Sequence, residues 1–423
     1  MAQTRISGKS LQNPFRIHGT VGGEYFTDRK DELAKFRAIL EEPAAKMLVY
    51  GHRRMGKSST LELAVDSVNR AGGHAILADL STASAFADIS NRILSGAARS
   101  MGKRWGDLIS DWVKMLQGSV SLKPDPLTGM LLPSFDVSIR TDTLERQRET
   151  LTTVLDSLNS LAKKKKMNVG LVLDEFQEIA RFGGESAEWH LRGVIQSHQN
   201  VSYIFAGSKE HIIRAMLEKG RAFYRMLDEY HFAPIERQHM ASWIEERLAS
   251  VSLKPQGAGE SCVRLAGPRT RDIVQVARKC VDRSENRGAI TYNEVAEAYV
   301  EIIDDMDDSI RTWWNTMTRQ QQNVLRAVAG SGAGLTTRET RRRFSLGGSG
   351  TPTNAASSLL KDGHLVRTDN GSGYVFDSPF VRGWVIIHAL PDMGLALLPT
   401  HIASETSEYQ SPKAKRARSS LKS

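Results

Sequence analysis

Apolar residues along the chain follow two rhythms, and the change falls near residue 237. Before it, short apolar runs at 46–50, 75–80, 169–175 and 201–208 read as strands. Segments of helical period lie among them: 30–40, 59–70, 89–101, 105–115, 144–161 and 189–198. Strands alternating with helices predict an α/β fold with a parallel sheet covered on both faces. In the stretch 119–141 Pro and Gly punctuate an alternation through Phe135, Val137 and Ile139, which predicts an inserted hairpin. Beyond residue 237 the pattern is helical at 241–248, 261–265, 272–281 and 292–304, closing on an acidic break at 304–308. Helices at 318–329, 336–344 and 352–362 precede a hairpin, 363–368 and 373–376, around Asp369-Asn370-Gly371. Three short helices and a hairpin predict a winged helix-turn-helix. Thr336 and Glu339 are spaced as a capping box.

The junction between the first strand and its helix carries chemistry. Gly51-His52-Arg53-Arg54-Met55-Gly56-Lys57-Ser58 fits G-x-x-x-x-G-K-[ST], with Ser59 continuing into the helix. Strand, glycine loop and helix N-terminus make an anion cradle, because bare N–H groups and the positive end of the helix dipole converge there. The motif predicts a nucleoside triphosphate, with Lys57 reaching the β/γ-phosphates and the Ser58 hydroxyl on Mg²⁺. The run 169–175 ends in two adjacent acids. Asp174 is placed to hold Mg²⁺ and Glu175 to polarise the attacking water, a general-base role. Lys163 to Lys166, just upstream, read as a solvated helix end.

Composition narrows the setting. A chain of 423 residues predicts two or three domains. No apolar run approaches the ~20 residues of a membrane span, and the N-terminus has no apolar stretch of the secretory kind. Two cysteines, Cys262 and Cys280, make neither a disulfide framework nor a metal pattern, so a cytoplasmic protein is expected. Charge is uneven. Residues 309–423 hold 15 Lys and Arg against 7 Asp and Glu, a net +8, leaving 42 against 41 before them. That asymmetry predicts a polyanion partner for the C-terminal part. In the winged helix Asn354 and Lys361 would face bases, while Arg341, Arg342, Arg343 and Arg367 would suit phosphates. The expected division is a loose N-terminus at 1–12, a P-loop core at 13–236, a helical lid at 237–309, the winged helix at 310–390 and a basic disordered tail at 391–423. Lys413, Lys415, Arg416 and Arg418 cluster in that tail.

With these pieces in place the chain resembles the prokaryotic AAA+-like ATPases of the STAND class, in particular the archaeal-type ATPase family with a C-terminal winged helix. The motifs are Asn13-Pro14-Phe15, Gly22, Phe26 to Arg29, the P-loop, Leu173-Asp174-Glu175-Phe176-Gln177-Glu178, Gly267-Pro268-Arg269 and the closing Asp377 to Trp384, in which Ser378 is an insertion. The resemblance implies an ATPase with Phe26 and Arg29 bordering the adenine, though GTP stays open as the nucleotide. It implies a sensor at Ser208, where many relatives carry Asn. It also implies an arginine finger at Arg225 and a lid sensor at Arg269, with Arg221 and Arg271 as competitors. The expected output is an ATP-driven switch acting on double-stranded DNA. The alternatives are a signalling or defence switch acting on a protein partner, with homo-oligomers, and a scaffold that binds ATP and barely hydrolyses it.

Overall fold

The structure is a computed structural model that describes residues 13–17, 19, 22–101, 106–116, 120–124, 131–135, 143–284, 288–331, 334–348, 350–368 and 373–391. The loose N-terminus, the basic tail, Val137 and Ile139, and the Asp369-Asn370-Gly371 turn lie outside the described residues. The chain divides into two compact units. One is 20–233; the other joins 1–19 to 234–423.

In chain order the first unit contains α1 (Lys30–Glu41), β1 (Lys46–Tyr50), α2 (Lys57–Arg70), β2 (Ala75–Asp79), α3 (Phe86–Met101), α4 (Gly106–Met115), β3 (Val120–Pro124) and β4 (Leu131–Phe135). It continues with α5 (Leu144–Lys165), β5 (Val169–Asp174), α6 (Ile179–Ile195), β6 (Val201–Gly207), α7 (Glu210–Met216) and β7 (Asp228–His231). Five strands pair in parallel in the order β2–β5–β6–β1–β7. β3 and β4 form the separate antiparallel hairpin.

Strand alternation sends each apolar run to two cores. Met47, Val49, Val172, Ile204 and Ala206 meet Phe36, Leu40, Leu61 and Val65 of α1 and α2 on one face. Leu48, Leu171, Leu173, Tyr203 and Phe205 meet Ile93, Leu94, Leu151, Val154 and Leu191 of α3, α5 and α6 on the other. β1 lies between β6 and β7, so its C-terminal end is in the interior of the sheet, where the phosphate loop leaves.

Three details depart from the expected elements. β7 was not legible: it is a polar, largely exposed edge strand, paired through its backbone to β1. α6 begins ten residues earlier than its apolar period suggests, because Gly184, at φ 53°, kinks the helix instead of ending it. The four lysines do lie at a helix end: Lys163, Lys164 and Lys165 occupy the last turn of α5, and Lys166 caps it at φ 54°.

The second unit contains α8 (Arg237–Ser250), β8 (Lys254–Pro255), α9 (Ala258–Ala266), α10 (Thr270–Arg283), β9 (Ala289–Ile290), α11 (Tyr292–Asp305) and α12 (Asp307–Asn315). Then come α13 (Arg319–Gly330), α14 (Arg338–Arg343), α15 (Gly350–Lys361), the antiparallel pair β10 (Leu365–Arg367) and β11 (Tyr374–Phe376), and α16 (Pro379–Trp384). One apolar cluster runs through all of it, from Phe15 and Ile244 to Trp384 and Leu390. The acidic stretch divides two helices at Met306, with Asp307 and Asp308 in the first turn of α12, where they complement the dipole. The cap of α14 is Thr337, whose hydroxyl accepts the Thr340 N–H, so no capping box forms from Thr336. Boxes form instead at Thr291 with Glu294 and at Thr318 with Gln321.

Candidate active site

The loop after β1 is shaped by two glycines. A Cβ on Gly51 would sit 2.5 Å from the Phe232 carbonyl oxygen. Gly56 caps α2 at φ 92°, a left-handed conformation that L side chains rarely adopt. The turn lets α2 begin at Lys57 with its first N–H groups facing the loop. Arg53, Arg54 and Ser58 are exposed, while Met55 and Lys57 are buried.

Lys57 is only 5% exposed, and carbonyls hold its ammonium: Nζ donates to the Gly207 oxygen at 2.6 Å and to the Gly51 oxygen at 3.3 Å. Burial pushes its pKa down, against Asp174 and Glu175, which pull it up. The Ser58 hydroxyl donates to Asp174 Oδ2 at 2.6 Å, and the Glu175 N–H donates to Asp174 Oδ1 at 2.9 Å. Burial raises the Asp174 pKa, opposed by the Ser58 hydrogen bond and by Lys57. A hydroxyl and a buried carboxylate oxygen side by side are hard donors that fit Mg²⁺, which takes one or two protein ligands and completes its shell with water and phosphate. Among the described residues no group of three or more His, Cys, Asp or Glu is placed to hold a metal ion.

Glu175 stands at φ 53° where β5 ends. Its Oε2 accepts from Ser208 Oγ at 2.7 Å and from Gln177 Nε2. Ser208 Oγ in turn accepts from Arg53 Nε at 3.3 Å. The structure therefore brings Lys57, Ser58, Asp174, Glu175, Ser208 and Arg53 together at the C-terminal ends of β1, β5 and β6. Gln177 belongs to this group and was not singled out in the sequence. Its signal was its place in the motif, two residues after Glu175.

Other expected residues are engaged elsewhere. The Arg29 guanidinium is buried, with donors to Glu32 at 2.9 Å, the Ala233 oxygen at 2.8 Å and the Met55 oxygen at 3.3 Å, and it lies 4.1 Å over the Phe232 ring. It pins the phosphate loop from behind. Asn13 donates to the Arg278 oxygen and to Asp282, and Phe15 is buried in the second unit's core. Phe26 and Ser59 are half-buried. His52 lies 3.7 Å from Glu210. Arg225 is exposed over the Tyr224 ring, whereas Arg221 pairs with Glu188 at 2.6 Å. Arg269, 4% exposed, is closed in a bidentate pair with Asp377, with one contact at 2.7 Å. In α14 and α15 Arg342, Arg343, Asn354 and Lys361 are exposed and Arg341 is half-buried, and Arg367 of β10 is exposed.

No family model and no curated protein sequence matches the chain. Solved structures do resemble it. A Walker-type ATPase of Pyrococcus abyssi superposes with a TM-score of 0.60 at 17% identity, over 88% of this chain and 99% of that one. The ORC1 protein of Aeropyrum pernix, solved in complex with DNA, gives 0.46 at 15% identity over 88% and 96%. The RuvB Holliday junction branch migration motor of Thermotoga maritima gives 0.39 at 11% identity over 87% and 96%. The first of these carries the assignment, which is one of fold alone: the chain shares the α/β fold of that Walker-type ATPase. No helix among the described residues is long and apolar enough to cross a membrane.

Proposed function

We propose that the chain is an ATPase whose nucleotide state drives a switch of the AAA+ and STAND type, and that its C-terminal helices and hairpin act as a winged helix on double-stranded DNA. The observation that carries the hydrolytic reading is the juxtaposition of Ser58 on Asp174 with Glu175 alongside, at the foot of the phosphate loop. Water attacks the γ-phosphorus as its bond to the β–γ bridging oxygen breaks, and ADP is the leaving group. Glu175 orients that water and takes its proton, and Lys57, released from its carbonyls, neutralises the phosphate oxygens. The α2 N-terminus and the loop N–H groups hold the remaining charge. Mg²⁺ held by Ser58 and Asp174 would offset the negative charge on the phosphate oxygens. Exposed Arg225 is the candidate for a neighbouring copy's site, because among the described residues no acid pairs with it as Glu188 does with Arg221. Exposed Arg342, Arg343 and Arg367, in a segment of net charge +8, support phosphate contacts of low sequence specificity.

Steady-state ATPase activity with and without double-stranded DNA, with Lys57→Ala as control, tests both halves. DNA-stimulated turnover that Lys57→Ala abolishes is the expected result. Turnover indifferent to DNA moves the output to a protein partner, and an inactive wild type leaves a scaffold.

A further inference from the structure

We propose that Gln177 is a positioning residue that fixes the Glu175 carboxylate for hydrolysis, an inference that rests on the hydrolytic reading above. Gln177 lies in the short turn Phe176–Glu178 and is fully buried. Both ends of its amide are used. Nε2 donates to Glu175 Oε2, and Oε1 accepts the Ser208 N–H at 3.2 Å. Only this orientation satisfies both partners; a flipped amide would set its carbonyl against a carboxylate and its NH₂ against an N–H.

The fit is tight on the far side. A Cβ on Gly207 would come within 2.6 Å of Gln177 Oε1, so β6 ends in the residue that leaves room for the amide. The turn itself is anchored by Phe176, whose ring packs 4.6 Å from Phe205 and 5.7 Å from Phe223. Packing therefore sets where the amide stands, and the amide sets the acid.

Ser208 Oγ donates to the same oxygen, at 2.7 Å. Two donors converge on Oε2, and among the described residues no protein donor reaches Oε1. The carboxylate is thus held by one oxygen and offers the other. Arg53 of the phosphate loop donates to Ser208 Oγ, which ties this clamp to the segment that would grip the nucleotide. A general base misplaced by about an ångström loses much of its effect, so an acid on a flexible stem gains from such a clamp. A buried amide with nothing to orient would instead cost stability.

The test uses the full chain. Gln177→Met keeps the volume and removes both hydrogen bonds. Gln177→Glu keeps an acceptor for the Ser208 N–H and removes the donor to Glu175. Each is expected to lower kcat roughly 10- to 100-fold while KM for ATP and the affinity for a fluorescent ATP analogue stay within about twofold. Adding Gln177→Met to Glu175→Gln should change residual single-turnover hydrolysis by less than about twofold, because the acid it positions is already gone. A Gln177→Met protein that melts early transfers the decision to Gln177→Glu, read by the same two rates. Wild-type kcat in the variants overturns the inference. So does an equal loss in the Glu175→Gln background, or a rise in KM alone, since either indicates general disruption of the site. An inactive wild type overturns the hydrolytic reading, and the positioning role with it.

Discussion

Both units bury charged groups, but the foot of the phosphate loop in one and the Arg269 pair in the other leave those charges in different states. In the 20–233 unit, Lys57 is held by carbonyls and Asp174 by a hydroxyl and an N–H, all neutral partners. In the other, Arg269 and Asp377 close on each other through two hydrogen bonds. A buried charge with neutral partners can exchange them for a ligand of opposite sign. A charge in a closed pair has already been answered. Sites of chemistry and structural pins can be told apart on this basis, and the substitutions below test whether the distinction holds.

The largest expected effect is at Glu175. Glu175→Gln should cut ATP turnover by about 10²–10⁴-fold with ATP binding retained, as the loss of a general base predicts. Single-turnover hydrolysis together with nucleotide binding checks it; an equal loss of affinity would mean that Glu175 holds charge and does not handle the water.

Next comes the closed pair. Arg269→Met removes the bidentate contact to Asp377, and because Asp377 is about one-third exposed the cost is set at ~2 kcal/mol, below the 3–5 kcal/mol of a fully buried pair. Denaturant unfolding should show this loss, and Arg269→Met with Asp377→Leu should recover part of it. A change in ATP affinity with unchanged stability would return Arg269 to the nucleotide.

Arg29 is the third case. Its hydrogen bonds to the Met55 and Ala233 carbonyls make it a pin behind the phosphate loop. Arg29→Met should cost roughly 1–2 kcal/mol of stability, with KM for ATP rising only as far as the loop loosens. A large rise in KM with no loss of stability would contradict the pinning role.

The same contrast explains what could be read in advance. Lys57, Ser58, Asp174 and Glu175 were legible because short-range geometry dictates them: a glycine loop between strand and helix, and two acids where an apolar run stops. The parallel sheet was legible because each central strand is apolar on both faces. β7 escaped because an edge strand paired through its backbone needs no apolar side chains. The Arg269–Asp377 pair was not legible because the partners lie 108 residues apart, and no local pattern reports that distance. Arg29 was singled out, but its contact with the Ala233 carbonyl, 204 residues on, was not legible for the same reason. Gln177 lay inside a recognised motif, but its role depends on the end of β6 passing beside it.

The smallest effect concerns a second cluster at the phosphate loop. Glu210, the first residue of α7, has His231 at 3.4 Å, Arg214 at 3.6 Å and His52, a residue of the loop, at 3.7 Å. Burial pushes the Glu210 pKa up, but the neighbouring His231, His52 and Arg214 outweigh it and hold the acid below its ordinary 4.5. A carboxyl whose folded pKa is depressed contributes stability above the unfolded value and loses it as pH falls through the folded one. The histidines are about one-third exposed, so solvent screens the cluster and its contribution is about 0.5–1 kcal/mol. Glu210→Gln should therefore melt slightly earlier than wild type at pH 5–7. The difference should fade below pH 4.5, where protonated Glu210 and the amide become equivalent. A gap that persists undiminished at pH 3 would assign the effect to packing. One that closes would make Glu210 a closed charge cluster directly beside an open one, so that the contrast between the two units recurs within a single loop.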